Sequence, residues 1–260
     1  MLRYLGFGQI LFAAGIAGLG ALSLLHHDFA LQWQPVPKHI PARELLALAS
    51  GGLLLIAALA LMVRRTARIA ALVLALFLLS WVLVLQLPRL ALQPLNIAVW
   101  LGLCESLTLC VGGWVLYAWL DALEPRTIAG FASTATAVGY ARLLLGAAMV
   151  VFGLSHFAYA EFTAAMIPAW MPLRLPLTYF TGAAHVAAGA ALLLGIVPAL
   201  AVRLEAIMMS AFIVLVHIPA VTAQPASREQ WTALCIAAAL AGAVWVVFGS
   251  FSVQFRQQRA

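Results

Sequence analysis

Residues 153–189 read GLSHFAYAEFTAAMIPAWMPLRLPLTYFTGAAHVAAG and form the chemically most varied stretch of the chain. Two of the six histidines lie near its ends, three prolines interrupt its middle, and long apolar segments flank it on both sides. Lipid offers no partner for an unpaired backbone group, so apolar segments of about 20 residues predict transmembrane helices. The stretch is therefore predicted to hold the ends of two such helices and the connection between them.

The composition of the whole chain requires a solvent that is largely lipid. Of the 260 residues, 65% are hydrophobic and 8% are charged, whereas soluble domains carry about 25% charged residues. A formal charge of +6 would favour nucleic acid as the partner of a soluble protein. Here the basic residues lie at the ends of apolar segments, where they orient helices and meet anionic headgroups. We therefore expect the lipid bilayer as a partner and no nucleic acid.

Eight apolar segments are long enough to cross a bilayer. They cover residues 4–25, 45–63, 69–87, 96–119, 142–160, 177–197, 204–219 and 231–251. The alternation typical of a β-barrel is absent, so the predicted fold class is an all-α integral membrane protein. The first segment follows Arg3 and resembles a secretory signal, but its length predicts a retained helix.

The two halves of the chain are related by an internal repeat at a constant shift of 131 residues. The matched pairs include Pro37 and Pro168, Arg43 and Arg174, Gly51 and Gly182, Trp100 and Trp231, Cys104 and Cys235, and Trp114 and Trp245. Each half has four segments, an even number, so the two repeats share one orientation. The prediction is eight helices arranged as two parallel-repeat four-helix bundles, at residues 1–120 and 142–260, joined by a linker at residues 121–141.

The distribution of Lys and Arg predicts the orientation in the membrane. Nine of the fourteen lie on the side that bears the N-terminus, and five lie on the opposite side. The nine are Arg3, Arg64, Arg65, Arg68, Arg126, Arg142, Arg203, Arg256 and Arg259. Because loops rich in Lys and Arg stay in the cytoplasm, we expect both termini to be cytoplasmic, in a bacterial inner membrane.

Polar residues of the second half are predicted to gather near the outer surface of the membrane. Three histidines fall in the outer half of this bundle: His156, His185 and His217. Glu161 lies near the same level, and Thr181 shares a helical face with His185. Neutral imidazoles bind a metal or hydrogen-bond a quinone-like head group. The alternative is that each histidine bonds a neighbouring helix, while the glycines only allow close packing. A three-histidine metal site is less favoured, because no HxH or HxxxH pair is present.

Further candidates lie outside these helices or in the first half. Glu105 lies inside the fourth segment, where a lone carboxylate is protonated or paired, and its candidate partners are His26 and Arg43. The alternative interpretation is that His26 lies at a solvated helix end and has no role in a site. Arg43 and Arg174 precede the second and sixth segments, where they bind an anionic head group or anchor helix ends by snorkelling. Trp170, in an outer loop, fits the aromatic belt of the interface.

The remaining sequence patterns disfavour several function classes. Cys104 and Cys235 match in the repeat, which favours a role in helix packing, and the three cysteines form no CxxC pair. There is no Ser-His-Asp constellation, phosphate loop or HExxH motif. A self-contained hydrolase or ATPase is therefore disfavoured.

The histidine-bearing stretch has a distinct pattern, which runs from His156-Phe157 through IPAWMP at 167–172 to TGAAH at 181–185 and Gly189. This pattern resembles that of the DoxX-like family of four-helix membrane proteins. The second half is the closer match, so the chain resembles a fused pair of such units. The residues that carry over are His156, Pro168, Trp170, Pro172, Thr181, Gly182 and His185. Named relatives include a membrane subunit of thiosulfate:quinone oxidoreductase, so the resemblance implies a role associated with redox chemistry.

The leading hypothesis is a membrane protein that binds a small lipophilic or redox ligand such as a quinone. It would act as an accessory or subunit of an electron-transfer system, with His156 and His185 on the head group. His217 and Glu161 would support these contacts or relay protons. One alternative is a non-enzymatic assembly subunit of a larger membrane complex, because Ala, Leu and Gly dominate the helix faces. Another is a small-molecule transporter that uses the repeat, although a continuous polar path is hard to draw.

Overall fold

A computed structural model describes residues 6–124 and 127–253. Regular secondary structure in these ranges is helical, and eight helices are long and apolar enough to cross a membrane. They are α1 (Phe7–His26), α2 (Arg43–Leu61), α3 (Ala67–Leu92), α4 (Ile97–Ala122), α5 (Ala135–Ala158), α6 (Arg174–Leu194), α7 (Pro198–Ala223) and α8 (Arg228–Ser252). The predicted all-α membrane fold with eight spans is confirmed.

Polar side chains set where several helices begin. The α5 helix starts at Ala135, seven residues before the predicted segment, because the Thr134 side chain accepts a hydrogen bond from the Ala137 N–H at 3.1 Å. Such a cap satisfies one of the four unpaired N–H groups of a helix start. Asn96 caps α4 and Ser227 caps α8 in the same way. Residues 135–141, predicted as linker, therefore belong to a helix.

The α7 helix also begins earlier than predicted. As a result, an acidic residue lies inside the membrane-spanning helix and not at its end. Pro198 occupies the first turn of α7, where proline is tolerated because its missing N–H would be unpaired anyway. The helix therefore begins six residues before the predicted boundary at 204. Glu205 lies about two turns inside α7 and is buried.

Two helices, α4 and α8, form the centre of the bundle. The α4 helix packs against α3, α5 and α8, and α8 packs against α1, α4 and α7. The first helix of each half thus packs on the last helix of the other half. The α1–α8 contact is close because Gly242 lies against the α1 backbone, where an added Cβ would be 2.6 Å from Phe12 Cα. The two halves are therefore interlocked.

Positions 131 residues apart carry the same local geometry. Examples are the positive φ angles of Ala42 and Leu173, and the indole hydrogen bonds from Trp100 to the Pro94 carbonyl and from Trp231 to the Pro225 carbonyl. A π-helical turn interrupts both third helices of the halves, at Trp81–Gln86 and at Ile213–His217. The division into domains at 1–120 and 142–260 stays a prediction.

The outward faces of the bundle are apolar. Large aliphatic and aromatic side chains stand exposed along several helices, among them Ile56, Val84, Phe180, Leu194 and Val214. Exposed apolar surface on this scale requires a covering partner, and lipid provides it for spans of this length. The chain is a multi-pass membrane protein. The orientation stays a prediction, and four of its nine basic residues (Arg3, Arg126, Arg256 and Arg259) lie outside the described residues.

Candidate functional site

The candidate site lies where α5 crosses α6. At the crossing, Gly153 contacts the Gly182 backbone, and a Cβ on Gly153 would be 2.9 Å from Val186 N. Small residues at such positions allow two helix backbones to approach closely. His156 follows Gly153 by about one turn, so its ring lies directly beside α6.

His156 is held against α6 by a hydrogen bond. Its Nδ1 lies 3.0 Å from Thr181 Oγ1, and the ring is half-buried. The Thr181 hydroxyl lies 3.0 Å from the Leu177 carbonyl and 3.1 Å from the Thr178 carbonyl. The Thr181 side chain therefore links the His156 imidazole to the backbone of α6 and fixes the orientation of the ring.

His185 pairs with an acidic residue on α7. Its Nδ1 lies 2.6 Å from Glu205 Oε1, and the two side chains are 3% and 0% exposed. The second carboxyl oxygen, Oε2, is buried and has no hydrogen-bond partner among the described residues. A buried ionisable pair is costly in a membrane and marks a functional site by default.

The two imidazoles are in contact. The ring centroids of His156 and His185 are 5.1 Å apart with the planes at 85°. Phe212 lies 5.9 Å from the His185 ring and 6.3 Å from the His156 ring, and Phe152 lies 5.9 Å from His185. The structure thus brings together three of the predicted ligand residues, His156, Thr181 and His185.

Glu205 is the residue of this cluster that sequence reasoning missed. The predicted seventh segment began at 204, which placed the carboxylate at a membrane boundary. Pro198, read as the first-turn residue of a helix, would have placed Glu205 about two turns deeper. Its pairing with His185 also depends on how α6 and α7 pack, which no local pattern encodes.

His217 lies further along α7 than the residues of the cluster. It ends the π-helical turn of α7, more than a turn beyond Phe212 toward the predicted outer side. Within residues 6–124 and 127–253, it forms no hydrogen bond with His156 or His185. Two of the three histidines, His156 and His185, are therefore in contact, and these ranges hold no group of three His, Cys, Asp or Glu side chains fit for a metal ion.

Glu161 and Trp170 lie on the surface. Glu161 is exposed in the short helix Ala160–Met166 and lines an open depression together with Phe157 and Tyr179. The rings of Phe157 and Tyr179 stack with centroids 6.1 Å apart. Trp170 is 67% exposed. The depression adjoins the site, because Phe157, which lines it, lies against Gly182 together with His156.

The secondary candidates have other partners. The Trp33 side chain, at the end of the short turn Leu31–Trp33, is the hydrogen-bonding partner of Glu105, whereas His26 and Arg43 were expected. His26 and Arg174 are exposed. Arg43 is bound instead to the carboxylate of a residue in the loop after α1.

That carboxylate is Asp28, which joins two helix N-termini. Its Oδ1 accepts a hydrogen bond from Arg43 at the start of α2, and its Oδ2 lies 3.3 Å from Arg228 Nη1 at the start of α8. Burial alone would raise the pKa of Asp28, but hydrogen bonds from Arg43, the Phe29 N–H and Arg228 outweigh it. The pKa therefore lies below its ordinary value. The cluster pins the loop after α1 to α2 and α8.

The first half lacks the histidine–glutamate pair. At the repeat shift, His185 corresponds to Leu54 and Glu205 to Leu74, and both leucines are fully buried. His156 corresponds to Leu25. The same helix positions therefore accept an apolar pair in one half and an ionisable pair in the other, so packing alone does not require the polar pair.

Comparison with known proteins adds no assignment to this geometry. The chain matches no protein-family model, no curated protein and no solved structure. The resemblance to the DoxX-like family therefore stays a prediction from the residues of the α5–α6 region.

Proposed function

We propose that this chain is a DoxX-like protein of the bacterial inner membrane that binds the head group of a lipophilic redox ligand, a quinone in the simplest case. It would act as an accessory or subunit of an electron-transfer system. The observation that carries the proposal is the contact between His156 and His185, with each Nδ1 held by a partner. Two oriented imidazoles inside an apolar bundle are the kind of convergent polar groups that fix a ligand.

The surroundings of the two rings suit a lipid-soluble ligand. An open depression at the end of α5 is lined by the aromatic residues Phe157, Tyr159, Phe162 and Tyr179, and a ligand dissolved in the bilayer would approach His156 from there. Phe152 and Phe212 contact the imidazoles and offer apolar surface to a ring-shaped head group. A small polar centre in an apolar wall is typical of small-molecule sites.

Quinone titration of the purified protein in lipid nanodiscs tests the proposal. We expect saturable binding by the wild type and at least a tenfold loss of affinity in the double variant His156→Ala/His185→Ala. The control is His26→Ala/His39→Ala, which removes two exposed histidines of the first half. Equal binding by the wild type and the site variant would overturn the proposal.

A further inference from the structure

We infer that the His156–His185 site recognises a hydroxyl group, so that it binds the quinol, or another phenol, in preference to the quinone. This inference rests on the proposed function and names the chemical form of its ligand. It follows from the donor and acceptor roles that the neighbouring groups impose on the two imidazole rings.

The surroundings of His156 fix its tautomer. The Thr181 hydroxyl has one hydrogen, which it donates to a backbone carbonyl of its own helix. Its oxygen must then accept the hydrogen of His156 Nδ1. Nδ1 of neutral His156 therefore carries the proton, and Nε2 presents a lone pair, a hydrogen-bond acceptor.

The His185–Glu205 pair has the opposite role. A buried pair in a low-dielectric environment is most stable without net charge, because each uncompensated charge costs several kcal/mol to desolvate. The neutral pair holds two protons, one of which is shared between Glu205 Oε1 and His185 Nδ1. The second proton is then on His185 Nε2 rather than on Glu205 Oε2, because Oε2 has no partner among the described residues that could accept it. His185 Nε2 is therefore a hydrogen-bond donor.

One acceptor nitrogen and one donor nitrogen in contacting rings match a hydroxyl group. A hydroxyl donates its hydrogen to His156 Nε2 and accepts the hydrogen of His185 Nε2 through its oxygen. A quinone carbonyl only accepts, so it would satisfy His185 and leave the His156 lone pair unpaired. Sites built to bond a hydroxyl reject analogues that lack it, because their buried polar groups are left without partners.

Glu205 supplies an independent indication of a ligand at this site. Its Oε2 is a fully buried acceptor without a partner among the described residues, and such an atom is destabilising unless a donor reaches it. A quinol has a second hydroxyl, and polyphenols have more, whereas a quinone offers no donor. The unpaired oxygen therefore favours the same class of ligand.

The test compares three probes that differ only at the oxygen atoms. Decyl-1,4-benzoquinol, its quinone and its dimethyl ether are titrated anaerobically into the protein in lipid nanodiscs, and heats of binding are measured. We expect the quinol to bind about tenfold or more tightly than the quinone and the ether. Equal affinity for all three would overturn the inference and leave the proposed function standing. Binding of none would overturn the proposed function itself.

A second variant tests whether the preference for quinol over quinone comes from the His185–Glu205 pair. His185→Leu/Glu205→Leu reproduces the residues that the first half carries at Leu54 and Leu74, so the fold should tolerate it. Removing the donor should reduce the preference for quinol over quinone to less than about threefold, while His156 keeps its acceptor nitrogen. A variant that retains the full preference would overturn the assignment to His185 and Glu205.

Discussion

Glu205 and His185 depend on each other for hydrogen bonding. Both side chains are almost completely buried and joined at 2.6 Å, so removal of either one leaves the other without its partner. An unsatisfied buried polar group costs about 1–3 kcal/mol. Hydrogen bonds between membrane helices are worth less on average, so the lower part of that range applies.

We therefore expect Glu205→Leu alone to destabilise the protein by about 1–2 kcal/mol. The added substitution His185→Leu should recover most of this loss, because the pair then matches the apolar pair of the first half. Thermal unfolding in detergent measures both variants. A double variant as unstable as the single one would show that the polar pair is needed for packing.

Asp28 stabilises the folded protein to an extent that depends on pH. Its pKa is lower in the folded protein than in the unfolded chain, because Arg43 and Arg228 hold the carboxylate. The stabilisation is therefore fully present above the unfolded value of about 3.9 and is lost as pH falls through the folded value. We expect the wild-type melting temperature to drop between about pH 5 and pH 3.

The variant Asp28→Asn lacks this titration. Its melting temperature should be lower than that of the wild type at pH 7, and the difference should shrink below about pH 4. The control Glu229→Gln removes a carboxylate at the start of α8 outside the Asp28 cluster. A constant difference between wild type and Asp28→Asn across this range would contradict the expectation.

Small residues allow α1 and α8 to pack closely against each other. We expect Gly242→Ala to lower the unfolding temperature, because its Cβ would be 2.6 Å from Phe12 Cα and backbone atoms cannot give way as a flexible side chain can. Gly139→Ala in α5 is the matched control, since its Cβ would meet nothing within 4 Å. Alanine favours a helix over glycine, so the control should be neutral or slightly stabilising.

Circular dichroism during heating in detergent compares these two glycine variants. If Gly242→Ala unfolds at the wild-type temperature, the α1–α8 contact is looser than the structure shows. Equal losses in both variants would point to a general effect of alanine.

Helix identity could be predicted from the sequence, but several helix ends could not. Hydropathy located all eight helices because each needs a long apolar run. The ends depend on single residues: Thr134 starts α5 and Pro198 starts α7. His156 and His185 were predicted as a pair of site residues, since both lie near the outer end of the second half. Glu205 was not predicted with them, because the predicted seventh helix began at residue 204 and not at Pro198.

The composition predicts a membrane protein but not which helices are in contact. The α1–α8 and α4–α5 contacts join helices of different halves, and the α1–α8 pairing spans about 200 residues, which leaves no periodic trace in the sequence. The pairing of His185 with Glu205 has the same origin, because it depends on how α6 and α7 pack, which neither helix taken alone shows.

The predicted orientation can be tested with cysteine labelling. His39→Cys, in the exposed loop between α1 and α2, should react with an impermeant thiol reagent added to intact spheroplasts. Gly195→Cys, in the turn between α6 and α7, should react only after the membrane is permeabilised. The wild type is the control, because Cys104 and Cys110 are buried and Cys235 is half-buried. Labelling of Gly195→Cys in intact spheroplasts would reverse the topology.

The packing of α1 on α8 has a consequence for biosynthesis. About 200 residues separate these helices, and ribosomes add about 5–20 residues each second. The glycine-lined face of α1 therefore waits on the order of 10–40 s for its permanent neighbour. During that time, lipid tails or the insertion machinery must cover this face. Assembly of the bundle centre is thus a late event, completed only after α8 has left the ribosome.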